Sequence, residues 1–126
     1  MTPKQLKKAG IEQVLSEYRR AAATHREASQ DGNYKLANRN VRVLQSCYRE
    51  IRTRGEAAKQ EFLTLLDNSD EGVRLWAAAN ALEFAPERGE PVLTELEASG
   101  THGLIRTDAH YTLEEWRRGR LSSHIA

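Results

Sequence analysis

The chain is poor in the residues that mark disulfide-stapled, membrane-spanning or sheet-rich proteins. Its 126 residues hold one cysteine, one methionine, three prolines and only eight aromatic side chains. The lone Cys47 excludes an intrachain disulfide and fits a reducing compartment. No apolar run reaches the eighteen or so residues that a membrane helix needs. The start, Met1-Thr2-Pro3-Lys4-Gln5, lacks the apolar run of a secretory leader, so a cytoplasmic location is expected. No segment alternates apolar and polar residues with period two, which predicts no sheet. With so few aromatics, Leu and Ala must fill the interior.

Chemistry-bearing patterns are missing too. His25, His102, His110 and His124 include no pair at the i, i+4 spacing of a helical metal site. Asp108 and His110 are two residues apart and fall on different sides of a helix. Glu114 and Glu115 are adjacent and cannot share a helical face, which makes them a poor acid/base pair. No Gly-rich loop opens a helix, and no Ser sits in a nucleophile elbow. No catalytic residue, metal or cofactor is therefore predicted.

What is present is a repeat. Phe62-Leu63-Thr64-Leu65-Leu66 aligns with Val92-Leu93-Thr94-Glu95-Leu96, thirty residues on. Each copy precedes an apolar-Arg pair with an Ala three residues past the Arg: Val73-Arg74 with Ala77, and Ile105-Arg106 with Ala109. A repeat of this length built from two short helices marks a helical solenoid, whose units bury apolar faces against neighbours and leave an extended surface free.

Helical periodicity covers most of the chain. Thr2, Pro3 and Gln5 form a capping-box pattern for a short helix ending near Lys8, and Gly10 weakens its continuation. Ile11, Val14, Leu15, Tyr18 and Ala22 mark a long helix to about Ala28, closed by Asp31-Gly32. A second long helix spans about Asn33 to Arg54 and buries Leu36, Ala37, Val41, Val43, Leu44, Cys47, Tyr48 and Ile51, with Gly55 beyond its end. A third runs from about Glu56 to Leu66. The fourth, about Glu71 to Phe84, is apolar nearly all round and rich in Ala, which suits a sandwiched helix with close neighbours. Pro86 and Pro91 predict a broken start to the fifth, which ends before Gly100. The sixth, about Leu104 to Arg118, buries Ile105, Ala109, Leu113 and Trp116. Residues 121–126 read as a loose tail.

The net charge of +1 hides an asymmetry. Residues 1–54 carry twelve Lys/Arg against five Asp/Glu, a net of +7, and the remainder carries −6. The polar face of the second long helix is almost purely basic: Arg39, Arg42, Arg49 and Arg52, joined by Arg54. Three readings stand for this stripe: a solvated face, a docking face for an acidic partner, and a phosphate-binding face for nucleic acid. Nucleic-acid binding usually asks for a more cationic domain and for aromatics that stack bases.

The run Asp70-Glu71-Gly72-Val73-Arg74-Leu75-Trp76-Ala77-Ala78-Ala79-Asn80-Ala81-Leu82 resembles the second helix of a HEAT repeat: an Asp-containing turn, Val-Arg, two Ala, then Leu a turn later. The stretch from Lys35 to Gly119 is similar to a small bacterial family of HEAT-like helical proteins. Ala37-Asn38-Arg39, Arg54-Gly55, Leu63 to Leu66, Val73 to Ala78 and Thr112 to Arg117 carry that likeness. The resemblance implies an α–α superhelix, no catalytic role, and association with polymorphic toxin systems, where small cytoplasmic proteins act as immunity factors. In such repeats the Arg at Arg74 and Arg106 bonds an Asp or a carbonyl in an adjacent turn. Asp108 and His110 depart from the pattern, which suits a capping unit. Trp76 and Trp116 read as core side chains or as partner anchors. Asn80 must satisfy its amide on backbone or in a groove.

Together these features predict an all-α right-handed superhelix of about six helices in a single domain over residues 1–120. The expected function is non-enzymatic protein binding, as an immunity-type protein that occludes a cognate toxin domain. Nucleic-acid binding through the arginine stripe, a structural role and a small enzyme are the alternatives. The candidate partner surface is Arg39, Arg42, Arg49, Arg52, Arg74, Trp76, Asn80, Asp108 and His110.

Overall fold

The computed structural model describes residues 1–120, so the tail predicted for 121–126 lies outside the described residues. Seven α-helices and one 3-10 segment account for the described chain, with no strand among them. The all-α class follows the periodicity, and the count of six becomes seven because the short N-terminal helix stands alone. The chain divides into two compact units, Met1–Leu65 and Leu66–Ala126.

In the first unit, α1 (Pro3–Lys8) starts with the predicted capping box. Thr2 Oγ1 accepts the Gln5 N–H at 3.2 Å and Gln5 Oε1 accepts the Thr2 N–H at 2.8 Å. Two twenty-residue helices follow, α2 (Ile11–Gln30) and α3 (Tyr34–Thr53). Only Asp31-Gly32-Asn33 separates them, so they fold back on each other. Gly32 has φ +77°, and Asn33 Oδ1 caps α3 by accepting the Leu36 N–H at 3.3 Å. Their facing stripes bury Val14, Leu15, Tyr18, Ala21 and Ala22 on α2 and Ala37, Leu44, Cys47, Tyr48 and Ile51 on α3. Phe62 from α4 (Glu56–Leu63) completes this core. Its ring meets Tyr18 edge-on at 5.1 Å and Tyr48 at 5.6 Å. The helix predicted to reach Leu66 tightens into a 3-10 turn at Thr64–Asp67. There Thr64 Oγ1 donates to the Glu61 carbonyl at 2.6 Å, a local bond that competes with the α pattern.

The second unit holds α5 (Glu71–Ala81), α6 (Pro86–Ser99) and α7 (Gly103–Arg117). Helix α6 packs on both α5 and α7, and α5 also touches α7. Asp70 caps α5 by accepting the N–H groups of Gly72 at 2.7 Å and Val73 at 3.2 Å. His102 plays the same part for α7, its Nδ1 accepting the Leu104 N–H at 3.0 Å. Aliphatic and alanine side chains make this core: Val73, Leu75, Ala77, Ala78, Ala81, Leu93, Leu96, Ile105, Ala109 and Leu113 are all buried. The close approach of α6 to α5 falls at a glycine. A Cβ on Gly89 of α6 would lie 2.6 Å from the Ala78 carbonyl oxygen. The broken start expected at Pro91 does not occur, because α6 runs unbroken from Pro86. Pro91 and Glu87 are both exposed, so the missing hydrogen bond falls on the outer side of the helix, where its loss costs least.

Candidate interaction surface

The repeat predicted from Arg74 and Arg106 is built as a repeated clasp. Arg74 donates to the Asn68 carbonyl at 2.8 Å, and Arg106 donates to the Gly100 carbonyl at 2.6 Å. Each bond reaches back six residues to the turn before its own helix. Of the two acceptors expected, an Asp or a carbonyl, both arginines take a carbonyl, and Arg74 also lies 3.8 Å from the Glu71 carboxylate. Behind the clasps, Val73 and Ile105 are 2% and 4% exposed, and Ala77 and Ala109 are fully buried. The two turns are also joined directly. Glu71 Oε1 accepts the Thr101 N–H at 3.0 Å and the Thr101 hydroxyl at 2.6 Å. Burial opposes ionisation of Glu71, but these two bonds and the Arg74 charge outweigh it and lower its pKa.

The other candidates in this unit scatter. Asn80 is buried with its polar groups satisfied, so it is a core residue and presents no side chain to a partner. Trp76 and Trp116 are half-buried. Asp108 is exposed on α7; partial desolvation raises its carboxyl pKa although the side chain keeps contact with solvent. His110 points elsewhere and is held between two carboxylates, Glu97 at 2.6 Å from Nδ1 and Glu114 at 3.4 Å from Nε2. Arg118 pairs with Glu114 at 3.2 Å, and Arg117 with Glu90 at 3.3 Å. A shallow recess of about 280 Å³ is lined by Glu97, His110, Glu114, Arg117 and Arg118. Its charges are thus engaged with one another. The His110–Glu114 half was legible as an i, i+4 pair on one helix. Glu97 and Glu90 come from α6, and nothing local in the sequence announced them. Among the described residues no group of three His, Cys, Asp or Glu side chains is arranged to hold a metal ion.

The basic stripe of the first unit has a different character. Arg39, Arg42, Arg49 and Arg52 are all exposed on α3, and Lys35 extends the series toward the helix start. Arg39, Arg42 and Lys35 enter no hydrogen bond or ion pair among the described residues. Arg52 lies over the buried Tyr48 ring with its guanidinium carbon 5.7 Å from the centroid. Arg54, assigned to the stripe from sequence, does not belong to it. It is half-buried, pairs with Glu50 at 2.8 Å and donates to the Leu6 and Ala9 carbonyls, both at 2.8 Å. Its guanidinium thus binds two carbonyls at the C-terminal end of α1, of which that of Leu6 also accepts the Ala9 N–H at 3.2 Å. Helix α2 carries charge of both signs, neutralised locally: Arg19 pairs with Glu12 at 2.8 Å, and Glu17 takes Arg20 at 2.6 Å and the N-terminal ammonium at 2.9 Å. Burial raises the Glu17 pKa, and those two cations more than reverse the shift.

No family model and no curated protein matches the chain. A solved structure does: the protein RPA1889 from Rhodopseudomonas palustris CGA009 superposes with a TM-score of 0.83, over 90% of this chain and 93% of that one, at 19% sequence identity. At that identity the likeness concerns the helical fold alone. No helix among the described residues is long and apolar enough to cross a membrane.

Proposed function

We propose that the chain is a non-enzymatic protein-binding module, an immunity-type protein that occludes a bacterial toxin domain by steric and electrostatic contact. The observation that carries this reading is the repeated clasp of Arg74 and Arg106 over equivalent buried positions. Repeats locked turn to turn make a scaffold whose outer surface is held rigid, and preorganised surfaces bind proteins with little ordering cost. The ionisable groups of the α6/α7 recess pair among themselves, a pattern suited to rigidity. The HEAT-like sequence pattern and its association with toxin systems supply the choice of partner class.

The test is coexpression with the C-terminal domain of the large protein encoded next to this chain. The expected outcome is copurification and relief of that domain's toxicity. Undiminished toxicity with no copurification would reject the reading.

A further inference from the structure

The cations of α3 fall into a pattern that the arginines alone conceal. Lys35, Arg42 and Arg49 are each seven residues apart, and all three are exposed. Seven residues fall about 20° short of two full turns, so these side chains form a nearly straight line along the helix. Arg39 and Arg52 flank the line, one on each side. The five cations thus occupy one arc of α3 over about 26 Å of its length. The single acidic residue of α3, Glu50, is turned toward Arg54.

We infer, resting on the reading of the chain as a protein-binding module, that this ridge receives an acidic α-helix of the partner, laid along α3 with carboxylates recurring every seven residues. Charge complementarity and spacing both favour that occupant. Carboxylates one heptad apart on a facing helix recur every 10.5 Å or so, the same interval as Lys35, Arg42 and Arg49. Phosphates of a nucleic-acid strand recur about every 3.4 Å along the duplex axis, a far denser comb than this ridge matches. Of the two aromatics of α3, Tyr48 is 1% exposed and covered by Arg52, which leaves Tyr34 at the helix start, 71% exposed, as a single ring rather than a platform for successive bases. Among the described residues Lys35, Arg39 and Arg42 have no ion pair to give up on binding, so a carboxylate that reaches these three strips water but breaks no salt bridge.

The experiment uses the full chain and two synthetic helix-forming peptides of identical composition. One carries Glu at heptad spacing with a second Glu three residues after each; the other carries the same residues scrambled. At low salt the heptad peptide should bind, shift the backbone amide resonances of residues 35–52, and lose at least about tenfold in affinity when Arg39→Glu and Arg42→Glu are combined. Affinity should fall steeply with added salt. Arg117→Gln with Arg118→Gln should leave binding unchanged. Equal binding of the scrambled peptide, or resonance shifts outside α3, would overturn the inference. So would tighter binding of a DNA duplex that Arg39→Glu and Arg42→Glu abolish, since the ridge would then read phosphate. The coexpression assay separates the two readings. A toxin domain that copurifies with wild type and with the Arg39→Glu/Arg42→Glu chain alike sinks the ridge and keeps the module. Heptad-peptide binding lost in that variant, with no toxin domain captured by wild type, keeps the ridge and sinks the module. Unchanged thermal midpoints check that the charge reversals leave the fold intact.

Discussion

The two units solve the same packing problem with different materials. Met1–Leu65 packs three aromatic rings, Tyr18, Tyr48 and Phe62, edge-on and tilted against one another in the core of its long helices. Leu66–Ala126 uses short helices, alanines and a glycine contact. Their charges differ as well. The first unit carries thirteen Lys/Arg against seven Asp/Glu and leaves Lys35, Arg39 and Arg42 unpaired among the described residues. The second carries six against eleven and uses Arg74, Arg106, Arg117 and Arg118 in clasps and ion pairs of its own. Charge satisfied internally stabilises; charge left open is available for association. The contrast is one of cations: among the described residues the second unit engages five of its six arginines and leaves Arg88 open, together with the carboxylates of Asp67, Glu87, Glu95 and Asp108, whereas the first unit leaves three cations open along a single helix. Each unit also carries its own reporter, Cys47 in the first and both tryptophans, Trp76 and Trp116, in the second.

The largest expected effect is Phe62→Ala. Removing the ring between Tyr18 and Tyr48 should cost about 3–5 kcal/mol in the first unit. Cys47 reports the loss, because burial pushes its thiol pKa up to about 12 and leaves it unreactive toward thiol reagents while the unit is closed. Its labelling should accelerate strongly in the variant. Tryptophan emission followed in denaturant should move less. An equal fall in both signals would mean that the units unfold as one, and the comparison would break.

Gly89→Ala is the matching perturbation of the second unit. The added methyl meets the Ala78 carbonyl at 2.6 Å, so α6 must move off α5 at a cost of about 1–3 kcal/mol. Here tryptophan emission should lead and Cys47 labelling should lag.

Acid should distinguish the units next. Burial lowers the pKa of His25 in the first unit below its ordinary 6.5. As pH falls past 6.5 the unfolded chain takes up that proton before the folded one does. Stability from His25 is therefore complete above 6.5 and is lost as pH falls through the folded pKa. Glu71 in the second unit follows the same sign from a lower start, since its ordinary value is 4.5. Its contribution is complete above 4.5 and drains as pH drops through the lowered value. Cys47 labelling, taken relative to the labelling rate of the unfolded chain at the same pH, should rise from pH 6.5 downward, whereas tryptophan emission should hold until below 4.5. His25→Gln should abolish the early phase, and its persistence would assign that phase to another group.

The smallest effect is expected from Arg39→Glu with Arg42→Glu. Exposed side chains without partners contribute within about 0.5 kcal/mol of nothing to folding. A larger loss in urea unfolding would show that the stripe supports the fold.

Much of this was legible in the sequence, and what was not has a common cause. The helices announced themselves because Val14, Leu15 and Tyr18, or Leu44, Cys47 and Ile51, repeat at helical spacing. The capping box at Thr2 and the turn glycines at Gly32 and Gly55 were readable for the same reason: they are local. The clasp positions Arg74 and Arg106 followed from the repeat, and of the two acceptors it allowed, an Asp or a carbonyl, the turns supply the carbonyl. Contacts between distant segments were hidden. Arg54 looked like one more cation of a basic face until α1 brought the Leu6 and Ala9 carbonyls to it. Glu97 and His110 are thirteen residues apart, and only the packing of α6 on α7 joins them. Pro91 was read as a break because proline costs a helix a hydrogen bond, whereas here Pro91 and Glu87 both lie on the exposed side of a continuous helix.

The most direct measurement compares association rates with the heptad peptide for wild type, the Arg39→Glu/Arg42→Glu chain and the Arg117→Gln/Arg118→Gln chain over a range of salt. Open charge on α3 and engaged charge on α7 predict that only the first pair of substitutions slows association and flattens its salt dependence. Equal slowing by both pairs, or slowing by the α7 pair alone, would contradict the division between open and engaged cations.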